Sequence, residues 1–290
     1  MRDLQFRLEA AVLWLALRLV RLLSPVAASN LGAAIARALG PLLPVSRVAE
    51  ANLRLAFPGM DAAGRTAVVR GVWDNLGRTV AEIPHLPRLR WEVVGAEHIA
   101  AVRREGGPAL FFSGHIANWE VLTPAAAANG VLLAGVYRAA TNPYADRLIN
   151  ALRREAIGAE TKMFPKGAEG ARGALAHLRS GGVLAMLVDQ KMNDGIAAPF
   201  FGHPAMTPSA GAALALRFGC KLIPAHVERL GPARLRIVVE APLPLPHTGD
   251  RAADVASLTA AMNACLETWI RARPAEWLWL HRRWPKDVYT

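Results

Sequence analysis

Hydrophobic and polar positions follow two different patterns along the chain. Up to residue 82, apolar segments of helical composition follow one another, separated by Pro and Gly. From residue 91, short apolar runs alternate with segments of helical composition, which is typical of an α/β fold with a mostly parallel sheet. The predicted strands are 91–94, 109–113, 132–137, 183–188, 221–227 and 235–240, and the later ones are open to antiparallel pairing. The predicted helices in this part are 119–128, 143–157, 167–179, 209–218 and 252–271.

The N-terminal segments predict four helices before the sheet begins. They cover residues 4–23, 27–39, 46–57 and 62–82, and Pro25 and Pro41 follow the ends of the first two. We expect residues 1–44 to form membrane-associating helices and residues 45–290 to form one α/β domain.

The first predicted helix carries a narrow polar stripe opposite a row of leucines. Its members are Asp3, Arg7, Trp14, Arg18 and Arg21, which recur at helical spacing. The uncharged run 10–17 is far shorter than the ~20 apolar residues that span a bilayer. We therefore expect this helix to lie in the membrane plane with its arginines among lipid phosphates. The alternative is a spanning helix whose arginines reach the two interfaces.

One histidine follows the strand 109–113 almost at once. His115 should therefore lie where a strand of the sheet passes into a helix, which is the usual location of α/β active sites. Glu120, five positions on, is not on the same helix face, so the two meet only if His115 lies in a turn and the helix begins near Asn118. A carboxylate on one imidazole nitrogen leaves the other free to take a proton from a hydroxyl. Such a pair suits direct attack of a substrate hydroxyl on an activated acyl group.

The segment His115-Ile-Ala-Asn-Trp-Glu120 resembles the His-x4-Asp/Glu signature of the glycerolipid acyltransferase superfamily. Within it, the chain is most similar to the lipid A late acyltransferases, which are lauroyl and myristoyl transferases. Ala117 departs from the Gly that the family often has there. Further segments resemble that branch in the expected order: Asn52-Leu-Arg-Leu-Ala-Phe57-Pro58, Asn75-Leu-Gly-Arg78 with Glu82, Tyr137-Arg138 with Asn142-Pro143, Asp189-Gln190, Pro199-Phe200-Phe201-Gly202 and Trp279-Leu-His-Arg-Arg283.

The resemblance implies a mostly parallel central sheet flanked by helices and an O-acyl transfer. It also implies acyl carrier protein as the acyl donor, a Kdo-bearing lipid A precursor as the acceptor, and no cofactor beyond the donor's thioester. The expected location is the cytoplasmic face of the inner membrane, in contact with membrane lipids. His115 and Glu120 are predicted to be catalytic, and no metal ligand is predicted. The predicted substrate-binding residues are Arg138, Asp189, Asn118, Gln190, Phe200, Phe201 and Arg283.

Two of these residues come directly after predicted strands, and His115 comes shortly after another. Arg138 should emerge at the same sheet edge and donate to a substrate phosphate or to the developing oxyanion. The alternative is a surface arginine paired with Asp146 or Glu155. Asp189 is expected to hold Arg138 or a sugar hydroxyl, or else to cap the next turn.

Aromatic residues near the end of the chain have two interpretations. Phe200 and Phe201 could line an acyl groove or belong to the core. The tail places four tryptophans, at 269, 277, 279 and 284, among basic residues. They could grip lipid phosphates at a membrane interface, or pack on the core as the alternation at 277–280 suggests.

The charge and the cysteine content indicate which kinds of partner and which cell compartment suit the protein. The chain has 34 Lys and Arg against 23 Asp and Glu, a net charge of +11. Such a surface suits an acidic carrier protein or anionic lipid; nucleic-acid motifs are missing from the sequence. Cys220 and Cys265 lack metal-type spacing, and no disulfide framework is expected, as in a reducing cytoplasmic compartment.

Two alternative functions remain open at this point. One is a superfamily acyltransferase acting on another glycolipid or a phospholipid. The other is a metal-dependent hydrolase with His115, Glu120 and Asp189 as ligands, although the sequence contains no His-Glu-x-x-His. A serine esterase is disfavoured because the sequence lacks Gly-x-Ser-x-Gly.

Overall fold

The computed structural model describes residues 2–137 and 139–289. Its first part is helical, with α1 (Arg2–Arg21), α2 (Pro25–Leu39), α3 (Ser46–Ala56) and α4 (Ala62–Glu82), and with 3-10 turns at Gly40–Leu42 and Ile83–Arg88. Local sequence explains two of the helix starts. The side chain of Ser24 accepts a hydrogen bond from the N–H of Ala27 ahead of α2, and that of Asp61 accepts one from the N–H of Gly64 ahead of α4. The four predicted helices are therefore confirmed within two residues.

The rest of the chain alternates strands and helices. In order, these are β1 (Arg90–Val94), α5 (Ala96–Glu105), β2 (Ala109–Ser113), α6 (Leu122–Ala128), β3 (Leu133–Tyr137), α7 (Pro143–Ile157), β4 (Met163–Pro165), α8 (Ala168–Arg179), β5 (Val183–Leu187), β6 (Ile196–Phe200), β7 (His203–Thr207), α9 (Ala210–Phe218), β8 (Lys221–Gly231), β9 (Arg234–Val239) and α10 (Arg251–Ala272). Further 3-10 turns lie at Trp119–Val121, Pro274–Glu276 and Lys286–Tyr289.

The main sheet has the strand order β1-β9-β8-β2-β5-β3-β4 among the described residues. Its neighbours pair in parallel except β8 and β9, which are antiparallel. β2 lies inside the sheet between β8 and β5, and all five of its residues are buried. The predicted fold class, α/β with a mostly parallel central sheet flanked by helices, is confirmed.

A separate hairpin of β6 and β7 was not predicted. Pro199 and Pro204 face each other in this hairpin, and prolines in a run argue against a strand. The two-residue turn is nevertheless well defined, because Phe201 and Gly202 both have positive φ, at 51° and 77°. Two positive φ angles are what a type I′ hairpin turn requires.

The four tail tryptophans belong to the core. Their exposed fractions are 4% for Trp269, 1% for Trp277, and 0% for Trp279 and Trp284. Rings of Phe200 and Phe201 lie 5.6 Å and 6.5 Å from that of Trp284. The prediction that these tryptophans meet a membrane interface is therefore wrong, and the core-packing alternative is confirmed.

α1 packs on the protein along the face of Phe6, Ala10, Leu13 and Leu17, of which Ala10 is buried, and polar contacts add to this near its two ends. The side chain of Asp3 accepts a hydrogen bond of 2.9 Å from the hydroxyl of Tyr144 in α7, and Arg21 pairs with Glu155 in the same helix. Another face of α1 carries exposed leucines: Leu4, Leu8, Leu15 and Leu19 are all more than half exposed. Arg7 and Arg18 of the predicted polar stripe are exposed as well. The placement of this helix in the membrane plane stays a prediction.

Within the described residues, no single helix is both long enough and apolar enough to cross a bilayer. The pair Pro25–Leu42 and Ser46–Ala56, bent by 85°, meets the length and composition requirement when taken together.

Candidate active site

Two neighbouring parallel strands bring His115 and Asp189 together. β2 pairs with β5, so that Ser113 lies opposite Leu187, and each functional residue follows its strand by two positions. Nδ1 of His115 donates a hydrogen bond of 2.8 Å to Oδ1 of Asp189. The backbone N–H of His115 donates a second, of 2.8 Å, to Oδ2 of the same carboxylate. Because Nδ1 carries the proton toward Asp189, Nε2 is left as the acceptor.

The pair is electrostatically coupled. Burial alone would lower the pKa of His115, but the charge of Asp189 and its hydrogen bond outweigh burial and raise that pKa. Burial would likewise raise the pKa of Asp189, yet His115 holds it well below its usual range. Asp189, which is fully buried, therefore stays ionised, and it stabilises the protonated form of His115.

Glu120 does not take the position predicted for it. The 3-10 turn does begin after Asn118, as predicted, and Glu120 lies in that first turn. Its carboxylate, however, accepts hydrogen bonds of 2.8 Å and 2.7 Å from Nε and Nη2 of Arg153 in α7. The acid that bonds His115 is instead Asp189. β2 and β5 are parallel neighbours, so the residues that follow their carboxyl ends lie close together although they are distant in sequence. The charge of Glu120 still contributes to raising the pKa of His115.

Sequence reasoning missed Arg153 and the role of Trp277. Arg153 lies 33 residues from Glu120, and helical spacing gives no signal for a contact over that distance. Nε1 of Trp277 donates a hydrogen bond of 2.7 Å to Oδ2 of Asp189. A buried tryptophan N–H usually finds an acceptor, and this was the available signal.

The turn between His115 and Glu120 is strained and tightly held. Ala117 has a φ of 49°, in the left-handed region that residues with a Cβ rarely adopt. Asn118 is fully buried and its side-chain oxygen accepts a hydrogen bond of 3.2 Å from the N–H of Glu120. Its amide donates to Glu82 at 2.8 Å. The prediction that Asn118 binds substrate is corrected: both ends of its side chain are engaged within the protein.

His115 opens onto a cavity of about 480 Å³ between one face of the sheet and helices α6 and α7. Its walls are mostly apolar. They include Phe111, Leu122, Pro124, Ala125, Leu133, Gly135, Val136, Ala156, Ile157, Met163, Ala185 and Met186. Polar side chains line it too: His115, Glu120, Arg153, Lys166 and Gln190. The site therefore joins a polar, reactive end to an apolar chamber.

The remaining predicted site residues have different outcomes. Gln190 lines the cavity, and its role in substrate binding stays a prediction. Arg138 lies outside the described residues. The predicted acyl groove at Phe200 and Phe201 is corrected: their exposed fractions are 0% and 5%, and they pack against the tail tryptophans.

Arg283 also serves the core rather than a substrate. It is fully buried, and Nη2 donates a hydrogen bond of 2.8 Å to the hydroxyl of Thr207. Its guanidinium lies 4.6 Å from the ring centroid of Phe200. These contacts hold the C-terminal tail against the β6–β7 hairpin. The burial of Arg283 corrects the prediction that it binds substrate.

Metal ligation was a separate sequence-based hypothesis. Across residues 2–137 and 139–289, no group of three or more His, Cys, Asp or Glu side chains is placed to hold a metal ion.

A buried aspartate–histidine pair at the carboxyl end of a parallel sheet, opening onto an apolar cavity, is the arrangement of an α/β enzyme that handles an apolar chain. The family comparison agrees with it. Residues 5–286 match the model of the family described as bacterial lipid A biosynthesis acyltransferase, and the chain belongs to that family. It is accordingly an acyltransferase of lipid A biosynthesis. A comparison with curated proteins finds no match.

Proposed function

We propose that this acyltransferase moves a fatty acyl chain from an acyl carrier protein thioester to a hydroxyl of a Kdo-bearing lipid A precursor. The observation that carries the proposal is the His115–Asp189 pair at the mouth of the apolar cavity. The family supplies the lipid A context, while the donor and the exact acceptor are part of the proposal.

In the proposed reaction, Nε2 of His115 removes the proton from the acceptor hydroxyl. The oxygen attacks the thioester carbonyl, a new C–O bond forms, and the C–S bond breaks as the carbonyl is restored. The departing thiolate takes the proton back from His115, so the enzyme ends unchanged. Asp189 stays ionised and stabilises the imidazolium in between. General base catalysis of this kind contributes about 10²–10⁴-fold.

Negative charge on the carbonyl oxygen needs a nearby positive group. Arg153 and Lys166 line the same cavity as His115, and Lys166 is close enough for its charge to lower the pKa of His115. We assign one of these cations to the oxyanion. Glu120 then positions Arg153 through its two hydrogen bonds, in addition to the effect of its charge on the pKa of His115. Arg138 remains a sequence-based prediction for the same task.

The apolar walls support a fatty acyl chain as the group transferred. Each methylene that leaves water for such a wall contributes about 0.8 kcal/mol. Gly135 and Ala185 lie opposite each other in the register of β3 and β5 and both line the cavity, so small side chains keep its floor open.

Two surface features support the proposed partners. The net charge of +11 favours an acidic carrier protein as the donor. The outward leucines of α1 favour contact with membrane lipids. A lipid acceptor and a carrier protein meet at the cytoplasmic face of the inner membrane, and we propose that location for the enzyme.

The test is acyl transfer by purified protein, followed by mass spectrometry of the acceptor. With acyl carrier protein thioester and a Kdo-bearing precursor, one acyl increment is expected on one lipid. His115→Ala should show none, whereas His203→Ala, a matched change on the β6–β7 hairpin, should transfer as the wild type does. Equal transfer from a coenzyme A thioester would overturn the choice of donor, and undiminished transfer by His115→Ala would overturn the proposed base.

A further inference from the structure

One buried face of α4 lies against the turn that carries His115 and Glu120. Asn75, Thr79 and Glu82 are spaced by four and three residues, so they share that face. Their exposed fractions are 7%, 1% and 0%. Three polar side chains at helical spacing on a buried face need partners, and the catalytic turn supplies them.

The first two residues hold the strained position in the turn. The hydroxyl of Thr79 donates a hydrogen bond of 2.9 Å to the carbonyl of Ala117, and Nδ2 of Asn75 donates one of 3.3 Å to the same carbonyl. From the other side, the N–H of Ala117 donates to the carbonyl of Glu276 at 2.9 Å. A left-handed residue with a Cβ persists only where its surroundings fix it, and these bonds do so.

Glu82 holds the next residue. Its Oε2 accepts a hydrogen bond of 2.8 Å from Nδ2 of Asn118. The oxygen of that same amide accepts the N–H of Glu120 at 3.2 Å. A continuous chain of bonds therefore runs from Glu82 through Asn118 to Glu120.

The other oxygen of Glu82 is fully used elsewhere. Oε1 accepts hydrogen bonds of 2.6 Å from Nη1 of Arg229, 2.7 Å from the hydroxyl of Ser29 and 3.1 Å from the N–H of Ala233. A buried ion pair is weak evidence for stability, because desolvation offsets the attraction. The arrangement does fix the orientation of the carboxylate, so that one defined oxygen faces Asn118.

We propose that Glu82 is a positioning residue for acyl transfer: through Asn118 it sets the turn that places Glu120, and hence Arg153, beside His115. This inference rests on the proposed function for its kinetic consequences. The placement of charge beside His115 can be measured without any substrate, because it changes the pKa of the His115 imidazole.

The hydrogen-bond directions provide a sharp test. In Glu82→Gln, the new oxygen can keep Arg229 and Ser29, but the new amide then faces the amide of Asn118, donor against donor. If the Asn118 side chain turned over, its amide would face the N–H of Glu120 instead. Either way one bond is lost. In the double variant Glu82→Gln/Asn118→Asp, the aspartate accepts from both Gln and the Glu120 N–H, and every bond is restored with the same total charge.

The experiment measures kcat and KM for these variants, together with the titration of the His115 imidazole by NMR. We expect Glu82→Gln to lose about 10²-fold in kcat, the cost of a displacement near 1 Å, with little change in KM. Because Glu120 helps raise the pKa of His115, that pKa should fall as Glu120 retreats. The double variant should recover most of the wild-type kcat and most of the raised pKa of His115. Glu92→Gln, a matched change in an exposed ion pair with Arg236, should alter neither.

Several outcomes would overturn the inference. Wild-type kcat and an unchanged His115 titration in a less stable Glu82→Gln would leave Glu82 only a structural role. A double variant no better than the single one would contradict the bond chain. If Glu82→Gln does not fold, Asn118→Ala, which keeps the Arg229 pair, must show the same losses. A wild-type enzyme without acyl transfer would overturn the proposed function, and the His115 titration would still decide the role of Glu82.

Discussion

At the scale of single residues, Asp189 organises the site. Its carboxylate accepts Nδ1–H and the backbone N–H of His115, and the indole N–H of Trp277. Each of these donors stabilises the ionised form. The sequence indicated that Asp189 belongs to the site because it ends a strand, as His115 nearly does. It could not reveal which acid bonds the histidine, because that depends on which strands are neighbours in the sheet.

Asp189→Asn should change both the rate and its pH dependence. The new amide would face Nδ1 of His115, move the ring proton to Nε2 and remove the acceptor needed for catalysis, so kcat should fall by about 10²–10⁴-fold. In the proposed reaction neutral His115 is the active form, so activity should rise with pH through its pKa. Since Asp189 raises that pKa, the acid limb of residual activity should move to lower pH in the variant.

A pH–rate profile of kcat for both proteins checks this prediction. Leu187→Val, a change beside Asp189 that alters no charge, serves as the control. An acid limb at the same pH in Asp189→Asn would show that Asp189 does not set the basicity of His115.

At the scale of elements, α2 and α4 approach so closely that neither tolerates a side chain at the crossing. A Cβ at Gly32 would lie 2.3 Å from the carbonyl oxygen of Gly77, and one at Gly77 would lie 2.2 Å from that of Gly32. Ser29 reaches Glu82 from the same helix pair. Close packing of α2 on α4 therefore accompanies the support that α4 gives to the catalytic turn.

Gly77→Ala should destabilise the protein. Within an ordinary helix this change stabilises by about 1 kcal/mol. Here the new methyl would meet backbone that cannot move aside, and overpacking costs about 1–3 kcal/mol. Thermal melting should show a lower Tm. Gly211→Ala in α9 is the control, since its nearest neighbour is the flexible end of Met262 at 3.2 Å; equal Tm changes in both variants would refute the close contact.

Ala185→Leu should shorten the acyl chain that the enzyme prefers. Ala185 lies on β5, lines the cavity and keeps some exposed surface, so a larger side chain can enter the open space. Competition between acyl donors of different length, read by mass spectrometry, gives the preference. Ala197→Leu on the exposed side of β6 should leave it unchanged. An unaltered preference in Ala185→Leu would place the acyl chain outside this cavity.

Helices and strands were predictable where the spacing of apolar residues agrees with the residues that mark the ends of an element. β2, α4 and α7 follow their predicted bounds because an apolar pattern is closed by Gly, Pro or a capping side chain. The β6–β7 hairpin was not predicted because Pro199 and Pro204 disfavour a strand locally. Packing of the hairpin against the tail tryptophans outweighs that local preference. Tertiary contact likewise explains the misplaced roles of Phe200 and Arg283, whose burial is invisible in their local sequence.

At the scale of the whole molecule, apolar surface is concentrated on the N-terminal helices. α1 packs on the protein with a narrow face around Ala10 and exposes four leucines, whereas the apolar side of a helix on a soluble core is turned inward. Leu31, Ile35 and Leu39 of α2 are also about half exposed. A large exposed apolar patch on a basic protein suits anionic lipid.

Replacing Leu8, Leu15 and Leu19 by Ser should weaken binding to vesicles that contain anionic lipid. These side chains are 61%, 53% and 56% exposed, so their removal should leave the fold and its Tm nearly unchanged. A buried leucine contributes about 1.5–3 kcal/mol, and losing three should reduce the partition coefficient by at least about 10²-fold. Vesicle flotation measures the partition. The control replaces Val94, Leu132 and Met192, which are similarly exposed on the α/β part of the chain, and should bind as the wild type does. Equal binding by the α1 variant would show that this helix does not carry the membrane contact.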